Sequence, residues 1–441
     1  MAAKQQLKDI LENWDSTREG RGLHSLIAAL YPICRSITGE GLRQSLRLLQ
    51  QHVPLSLCEV PTGDQVFDWT IPREWNIRDA WIKNERGQKV VDFAKSNLHV
   101  VNYSVPVRLR MGLAELKQHL FSLPETPDWI PYRTSYYRET WGFCVTQRQL
   151  EMLEEGEYEV RIDSTLAPGH LTYGEFRIQG ATDEEVLISC HSCHPSLCND
   201  NLSGMTIAAR LAALLQNVPL RYSYRFVWVP GTIGAIAWLA RNEAETGRIR
   251  HGLVLSCLGD RGPFTYKRSR RGNAEIDRVV AQALSRPATG HSILDFVPYG
   301  YDERQYCSPG FNLPVGVLMR TPNGRYPEYH TSADNLDLVD AGALGESLGL
   351  LLRIVLRLEK NRVCINQNPK CEPQLGRRGL YRTMGGLKDS PEREMAMLWV
   401  LNFSDGSHSL LDIAERSSLD FAVLEQAAVA LEEHNLLRPA G

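Results

Sequence analysis

The sequence has 441 residues, of which 43% are hydrophobic and 23% charged, and its formal net charge is −3. That length allows two or three domains with sizeable cores, and the slightly acidic balance gives no overall electrostatic footing for nucleic acid or an anionic membrane. No apolar run reaches the roughly 18–20 residues that a membrane-crossing helix needs.

The first twenty residues, MAAKQQLKDILENWDSTREG, interleave charge with apolar side chains. They lack the apolar middle of a secretory signal, so an amphipathic helix on a cytoplasmic protein is expected. Residues 20–57 read as helix, because Leu23, Leu26, Ile27, Leu30 and Tyr31 space as one buried face and Leu42, Leu46 and Leu49 repeat the pattern. From about 60 to 175 the texture is rich in Trp, Pro and Gly with short β-like runs, and EYEVRIDSTLAPGHLTYGEFRIQG reads as two strands across an Ala-Pro-Gly turn. This stretch is expected to be a β-rich insert.

After residue 185 the rhythm becomes strand, loop, helix. EVLISC, RYSYRFVWVP, HGLVLSC and LPVGVLMR read as strands, and NLSGMTIAARLAALLQN, GAIAWLARNEAETG, AEIDRVVAQALSR and AGALGESLGLLLRIVLRLEKN as helices. The alternation predicts an α/β fold with a mostly parallel, doubly wound sheet, whose sites form at the carboxyl ends of strands. VCINQNPKCEPQLGRRGL reads as a linker, and three short helical patterns beyond it have winged-helix spacing. The expected domains are 1–59 with 176–365, the insert 60–175, and 376–441. Residues 376–441 hold seven Lys or Arg against ten Asp or Glu, so a protein-contact role, including homo-oligomer formation, is expected there over duplex binding.

Ten cysteines without an export signal predict reduced thiols, most of them buried. Three of them, Cys190, Cys193 and Cys198, crowd into ISCHSCHPSLCNDNLSG at 188–204. There His191 follows a strand, and Asp200 comes nine residues later at the lip of a helix. His330, in RYPEYHTSADNLD, follows the strand LPVGVLMR. Two imidazoles and a carboxylate on loops at one sheet edge can hold zinc; the alternative is that each His only serves its own loop.

The order His191, Asp200-Asn201-x-Ser203-Gly204, His330-Thr331-x-x-Asp334 resembles the zinc aminopeptidases of the leucyl aminopeptidase and glutaminyl cyclase type. PTGDQVFDWTIPREWNIRDAW, CHPSLCNDNLSG, DERQYCSPGFNLPVG and YPEYHTSADNLD look closer to a bacterial branch with an aminopeptidase-like domain, a β-rich insert and a C-terminal winged helix. The resemblance implies a zinc aminopeptidase-like fold, with His191, Asp200 and His330 as metal ligands and Asn199 and Asn201 fixing their loop. It places a further ligand at Cys257 or Asp260. It also implies a carboxylate base at a position that here reads Pro230-Gly231-Thr232.

With glycine at 231 the base is missing and one zinc rather than two is expected. A placed base is worth about 10²–10⁴-fold; Glu303, Asp302 or His194 could replace it. The strip YKRSRRG at 266–272, with Arg304 and Arg320, could grip an anionic ligand or be a solvated run. The tryptophans at 69, 75, 81, 129 and 141 could form a lid or pack a core. The expected function is a zinc-dependent amide or peptide hydrolase acting on a peptide or small aminoacyl compound. The alternatives are a catalytically impaired zinc scaffold and a zinc-assisted acyl or aminoacyl transferase in a biosynthetic pathway.

Overall fold

The strands expected between 185 and 319 line up in one sheet. The computed structural model describes residues 2–285, 290–380 and 390–440. Eight strands run across the sheet in the order Ser56–Pro61, His170–Ile178, Ser223–Val229, Glu185–His191, Ile249–Leu255, Val315–Met319, Phe264–Lys267, His291–Leu294. The four in the middle, from 223–229 to 315–319, are mutually parallel. The strands flanking this parallel block pair with it antiparallel, and the 56–61 strand is again antiparallel to its neighbour.

All seven residues of Glu185–His191 are buried. A strand with neighbours on both sides and both faces covered reads as a continuous apolar run, as EVLISC does. Its one charged residue, Glu185, is matched. Arg225 donates to its two oxygens at 2.6 and 2.8 Å, and Arg177 donates at 2.7 Å. Such charge-assisted, bidentate pairing is what makes a buried carboxylate tolerable.

Between 74 and 167 the strands Glu74–Lys83, Lys89–Asp92, Val107–Gly112 and Glu157–Ala167 form a separate four-stranded antiparallel sheet. It has its own core, in which Ile82, Phe143 and Val160 are fully buried. The Ala-Pro-Gly turn joins two strands as expected, but they do not pair. It carries the chain from the small sheet into the large one.

By contact density the chain divides into Asp9–Leu352 and a second unit from Arg353 onward that includes Ala3–Lys8. In the second unit helices Ser390–Phe403, Leu410–Ser417 and Phe421–Glu433 accompany a three-stranded antiparallel sheet. The stretch expected to be a linker supplies the central strand of that sheet, Val363–Asn366, between Asp405–Ser409 and Leu437–Pro439. The all-helical pattern missed these strands because each has five residues or fewer. No described helix is long and apolar enough to cross a membrane.

His251, in the 249–255 strand, is 3% exposed, and neither ring nitrogen has a hydrogen-bond partner among the described residues. Burial, with Arg221 adding to it, pushes its pKa down from 6.5 to about 4. Above pH 6.5 the ring is neutral folded or unfolded and contributes nothing. Between 6.5 and 4 only the unfolded chain takes up the proton, so stability falls as pH falls, by about 2 kcal/mol at pH 5. The unfolding free energy lost between pH 7 and pH 5 is therefore expected to be about 2 kcal/mol smaller in His251→Leu than in the wild type, in urea titrations of both.

Candidate metal centre

His191 ends the central strand, and the chain then loops through Cys193 and His194 to a tight turn at Cys198–Leu202 before helix Ser203–Leu215. This loop folds back because its polar groups are bound from several sides. Asp334 accepts from the backbone N–H of Asn199 at 2.6 Å and of Asp200 at 3.0 Å. Asn201 Oδ1 accepts from Gly204 N and Cys257 N, while its amide donates to Leu255 O at 2.9 Å. Gly204 has to be glycine, since a Cβ would lie 2.5 Å from the Asn201 side chain and 2.6 Å from Leu255 O.

The result is one buried carboxylate ringed by three imidazoles. Asp200 is fully buried. Its Oδ1 lies 2.7 Å from His191 Nε2, and its Oδ2 lies 3.2 Å from His194 Nδ1 and 3.1 Å from His330 Nε2. One donor atom from each of His191, His194 and Asp200 lies within 4.8 Å of the others. Despite the short distance, Asp200 Oδ2 and His330 Nε2 make no hydrogen bond. Two buried polar atoms this close and left unbonded fit a shared cation far better than empty protein.

The protonation states agree with that fit. Burial pushes Asp200 up, but His194 and His191 outweigh it and hold the carboxyl well below its ordinary value. Burial lowers His191 to about 4, so its ring is neutral at neutral pH, the form that ligates metals. Asp334, raised to about 7 by burial and by the charge of Asp200, clamps the loop through two backbone N–H groups.

His330 is delivered by strained backbone. Its φ is +56°, the left-handed region that a non-glycine residue rarely enters, and such outliers gather at functional sites. The small-sheet region helps to hold it: Tyr132 N donates to His330 O at 2.7 Å, and the Tyr132 ring meets both His194 and His330 edge-on at 5.1 Å. Buried Arg35 donates to His194 O at 2.9 Å.

His191, Asp200 and His330 are thus brought together, and His194 joins them as a fourth donor. The other candidates are placed elsewhere. Asp260 has its oxygens occupied by Asn199 Nδ2 at 2.9 Å, Gly262 N at 2.6 Å and Thr321 Oγ1 at 2.7 Å, so it clamps the loop instead of facing a metal. Cys257 is a buried thiol pushed well up by burial; its sulfur donates to Asn323 Oδ1 at 3.1 Å. Glu303 is ion-paired to Lys267 and accepts from Tyr301 N at 2.9 Å. Burial, and Glu303 beside it, raise the Asp302 carboxyl well above its ordinary value, which works against its serving as an ionised proton acceptor. The basic strip is committed internally: Arg268 pairs with Asp295, Arg270 and Arg271 bind Asn312, and Arg320 binds Glu346. Trp75 and Trp81 are core residues.

Tyr301 was not expected. Its ring stacks on His191 at 3.7 Å between centroids, and its hydroxyl lies 2.9 Å from His194 Nε2. A Cβ at Gly231 would stand 2.1 Å from the Tyr301 ring and 3.1 Å from His191 Cβ. The phenol therefore fills the space that a side chain at 231 would need. Only the pairing of a side-chain-free position with a tyrosine seventy residues later carries this signal, and spacing does not reveal it.

Residues 24–361 match the model of a domain family of unknown function, DUF4910, and residues 362–439 match a winged helix-turn-helix model. The chain belongs to the DUF4910 family. A Clostridium acetobutylicum relative, by name a polysaccharide biosynthesis protein with an aminopeptidase-like domain, is 50% identical over 96% of this chain and 98% of its own. A crystal structure from that organism, a peptidase by name, is 47% identical, with a TM-score of 0.94 over 99% of this chain and all of its own. The fold alone extends to the zinc aminopeptidase BSAP of Bacillus subtilis, at 12% identity and a TM-score of 0.55 over 76% of this chain and 94% of that one. It extends also to a Shewanella amazonensis M28 peptidase precursor, at 13% and 0.56 over 81% and 97%. The DUF4910 region is thus aminopeptidase-like in fold.

The fit of Tyr301 into the space at 231 can be measured. Gly231→Ala is expected to cost about 1–3 kcal/mol of unfolding free energy, the usual range for overpacking. Combined with Tyr301→Ala, the total loss should be at least about 1 kcal/mol smaller than the sum of the two single losses. Additive losses in a double-mutant cycle by urea denaturation would show that the two positions do not share the space.

Proposed function

We propose that this DUF4910 protein is a zinc-dependent amide hydrolase with one cation per chain, acting on an amide-bearing precursor used in polysaccharide assembly. His191, Asp200 and His330 hold the cation, with His194 as the additional donor. The observation that carries the reading is the close but unbonded pair of Asp200 Oδ2 and His330 Nε2 inside an imidazole cluster. The precursor is a small aminoacyl or N-acyl compound; the pathway assignment is supported by the name of the Clostridium relative. When bound, zinc polarises an amide carbonyl and lowers the pKa of a water to about 7.

The chain's own residues set the rest. If Nδ1 of His194 gives its lone pair to the cation, Nε2 would carry the proton and donate to Tyr301 Oη, 2.9 Å away, leaving the phenol proton free to bond a substrate oxygen. His330, the cluster residue with a side chain 34% exposed, marks the side from which substrate enters. Without a carboxylate at 231, turnover is expected to fall short of a fully equipped hydrolase by about 10²–10⁴-fold. The acidic surplus of residues 376–441 supports a protein-contact role for the winged-helix unit, including self-association.

A second reading, a zinc-binding scaffold or zinc-assisted transferase, draws support from Tyr301 filling the place of the base. Zinc analysis and turnover separate the readings. About one zinc per chain is expected, lost in Asp200→Ala. Slow hydrolysis of aminoacyl amides or N-acetyl amino sugars is expected, abolished by chelation and restored by zinc. Zinc binding with no turnover on any of these amides would favour the second reading. Turnover that survives chelation would exclude the first.

A further inference from the structure

A cup with a cavity volume of about 370 Å³ opens between a short hairpin, Gln65–Val66 with Trp69–Thr70, and helix Ile233–Arg241. Its apolar surface comes from Phe67, Trp69, Phe311 and the helix residues Ile236 and Leu239. Phe67 is 47% exposed and Trp69 41% exposed, unusually open for rings of this size. They are held in place by edge-on contacts, Phe67 with Phe311 at 5.7 Å and Trp69 with Tyr137 at 5.6 Å.

Two further observations set this cup apart from an ordinary surface patch. Phe67 has a φ of +55°, a costly conformation for a bulky residue, and Gln65 pins its carbonyl at 2.9 Å. The fold thus holds an aromatic ring toward solvent at an energetic cost. Around the rings stand Asp68, Glu243, Gln305 and Ser308, whose side chains form no hydrogen bond or ion pair with any described residue. No Lys or Arg lines the cup.

We propose that this cup is a saccharide-binding subsite for one or two uncharged or amino-bearing sugar rings. The C–H face of a pyranose stacks on an aromatic ring, and its hydroxyls pair with carboxylates, amides and hydroxyls, the side chains left uncommitted here. Two carboxylates without a cation disfavour phosphorylated sugars and uronic acids. The volume sits at the low end for small-molecule sites and suits a compact ligand better than an extended peptide. The assignment goes beyond the hydrolase reading and does not depend on the metal.

Ligand-observed saturation-transfer NMR on the full chain tests this. The probes are N,N′-diacetylchitobiose, the glucosamine disaccharide, digalacturonic acid and a Lys- and Arg-rich tetrapeptide. Transfer to ring protons of the first two sugars is expected, with little to digalacturonic acid and unchanged by chelation of zinc. Phe67→Ala and Trp69→Ala should each weaken binding about tenfold, equivalent to about 1.4 kcal/mol. Tyr299→Ala, which removes a ring 83% exposed elsewhere, should leave binding unchanged. No transfer to any sugar at millimolar concentration, transfer that persists in both cup variants, or binding of the peptide alone would each overturn the proposal. Because sugar binding is read without turnover and without zinc, failure of the hydrolase reading leaves this result interpretable.

Discussion

A carboxylate with no exposed atom has to be compensated from every side, because removing a charge from water costs several kcal/mol even after relaxation. Asp200 is that group here. Three imidazoles lie within 3.2 Å of its oxygens, and one of those contacts has no hydrogen bond to justify it. The requirement to stabilise this charge explains why the 191–204 loop folds back beneath the 330 loop. It also explains why so many polar groups nearby are spent on geometry. Asp334 binds two successive backbone N–H groups, and Asn199 bridges Asp260 and Gly259 N. Neither of these acidic residues meets the imidazoles; both fix the backbone that does.

The sheet makes this arrangement possible. His191 stands at the carboxyl end of the central parallel strand, and the 315–319 strand, two places away, leads into the loop that carries His330. Parallel neighbours end at the same edge, so their following loops share one rim. The antiparallel strands at the flanks do not disturb this, because they join outside the parallel block. The small-sheet region adds Tyr132 to the rim by clasping backbone to backbone: Tyr132 N donates to His330 O, and Ser332 N donates to Ile130 O. One wall of the cluster therefore comes from chain two hundred residues away from the imidazole it supports.

Much of this was legible in the sequence where local chemistry determines structure. Long apolar strands separated by amphipathic helices specify an α/β sheet regardless of detail, and His191, Asp200 and His330 announce themselves by following strand ends. What stayed hidden was set by partners distant in sequence. Asp260 and Glu303 look like ligands or bases until Thr321 and Lys267 are seen to occupy them. Asp302 reads as an ordinary carboxylate in the sequence, and only its burial beside Glu303 raises its pKa. Val363–Asn366 reads as linker because a four-residue strand is recognisable only beside the strands it joins. The basic strip at 266–272 reads as free charge until Asp295 and Asn312 come into contact with it.

Position 231 shows why a site should be read as a volume and not as a list of residues. Glycine there suggests a missing base and, taken alone, an empty space beside His191. Interiors do not keep such spaces: an unfilled gap forfeits contacts with every atom that lines it. Tyr301 closes the gap with a ring that stacks on His191 and a hydroxyl that reaches His194. The glycine and the tyrosine are therefore one feature, since a side chain at 231 and the ring at 301 exclude each other by distance. The chemistry changes with the packing. A carboxylate at 231 would bring a charge and a strong proton acceptor; the phenol instead brings an uncharged hydroxyl within hydrogen-bonding distance of an imidazole. With glycine at 231 and the phenol at 301, the wall beside His191 is aromatic where a side chain at 231 would otherwise stand.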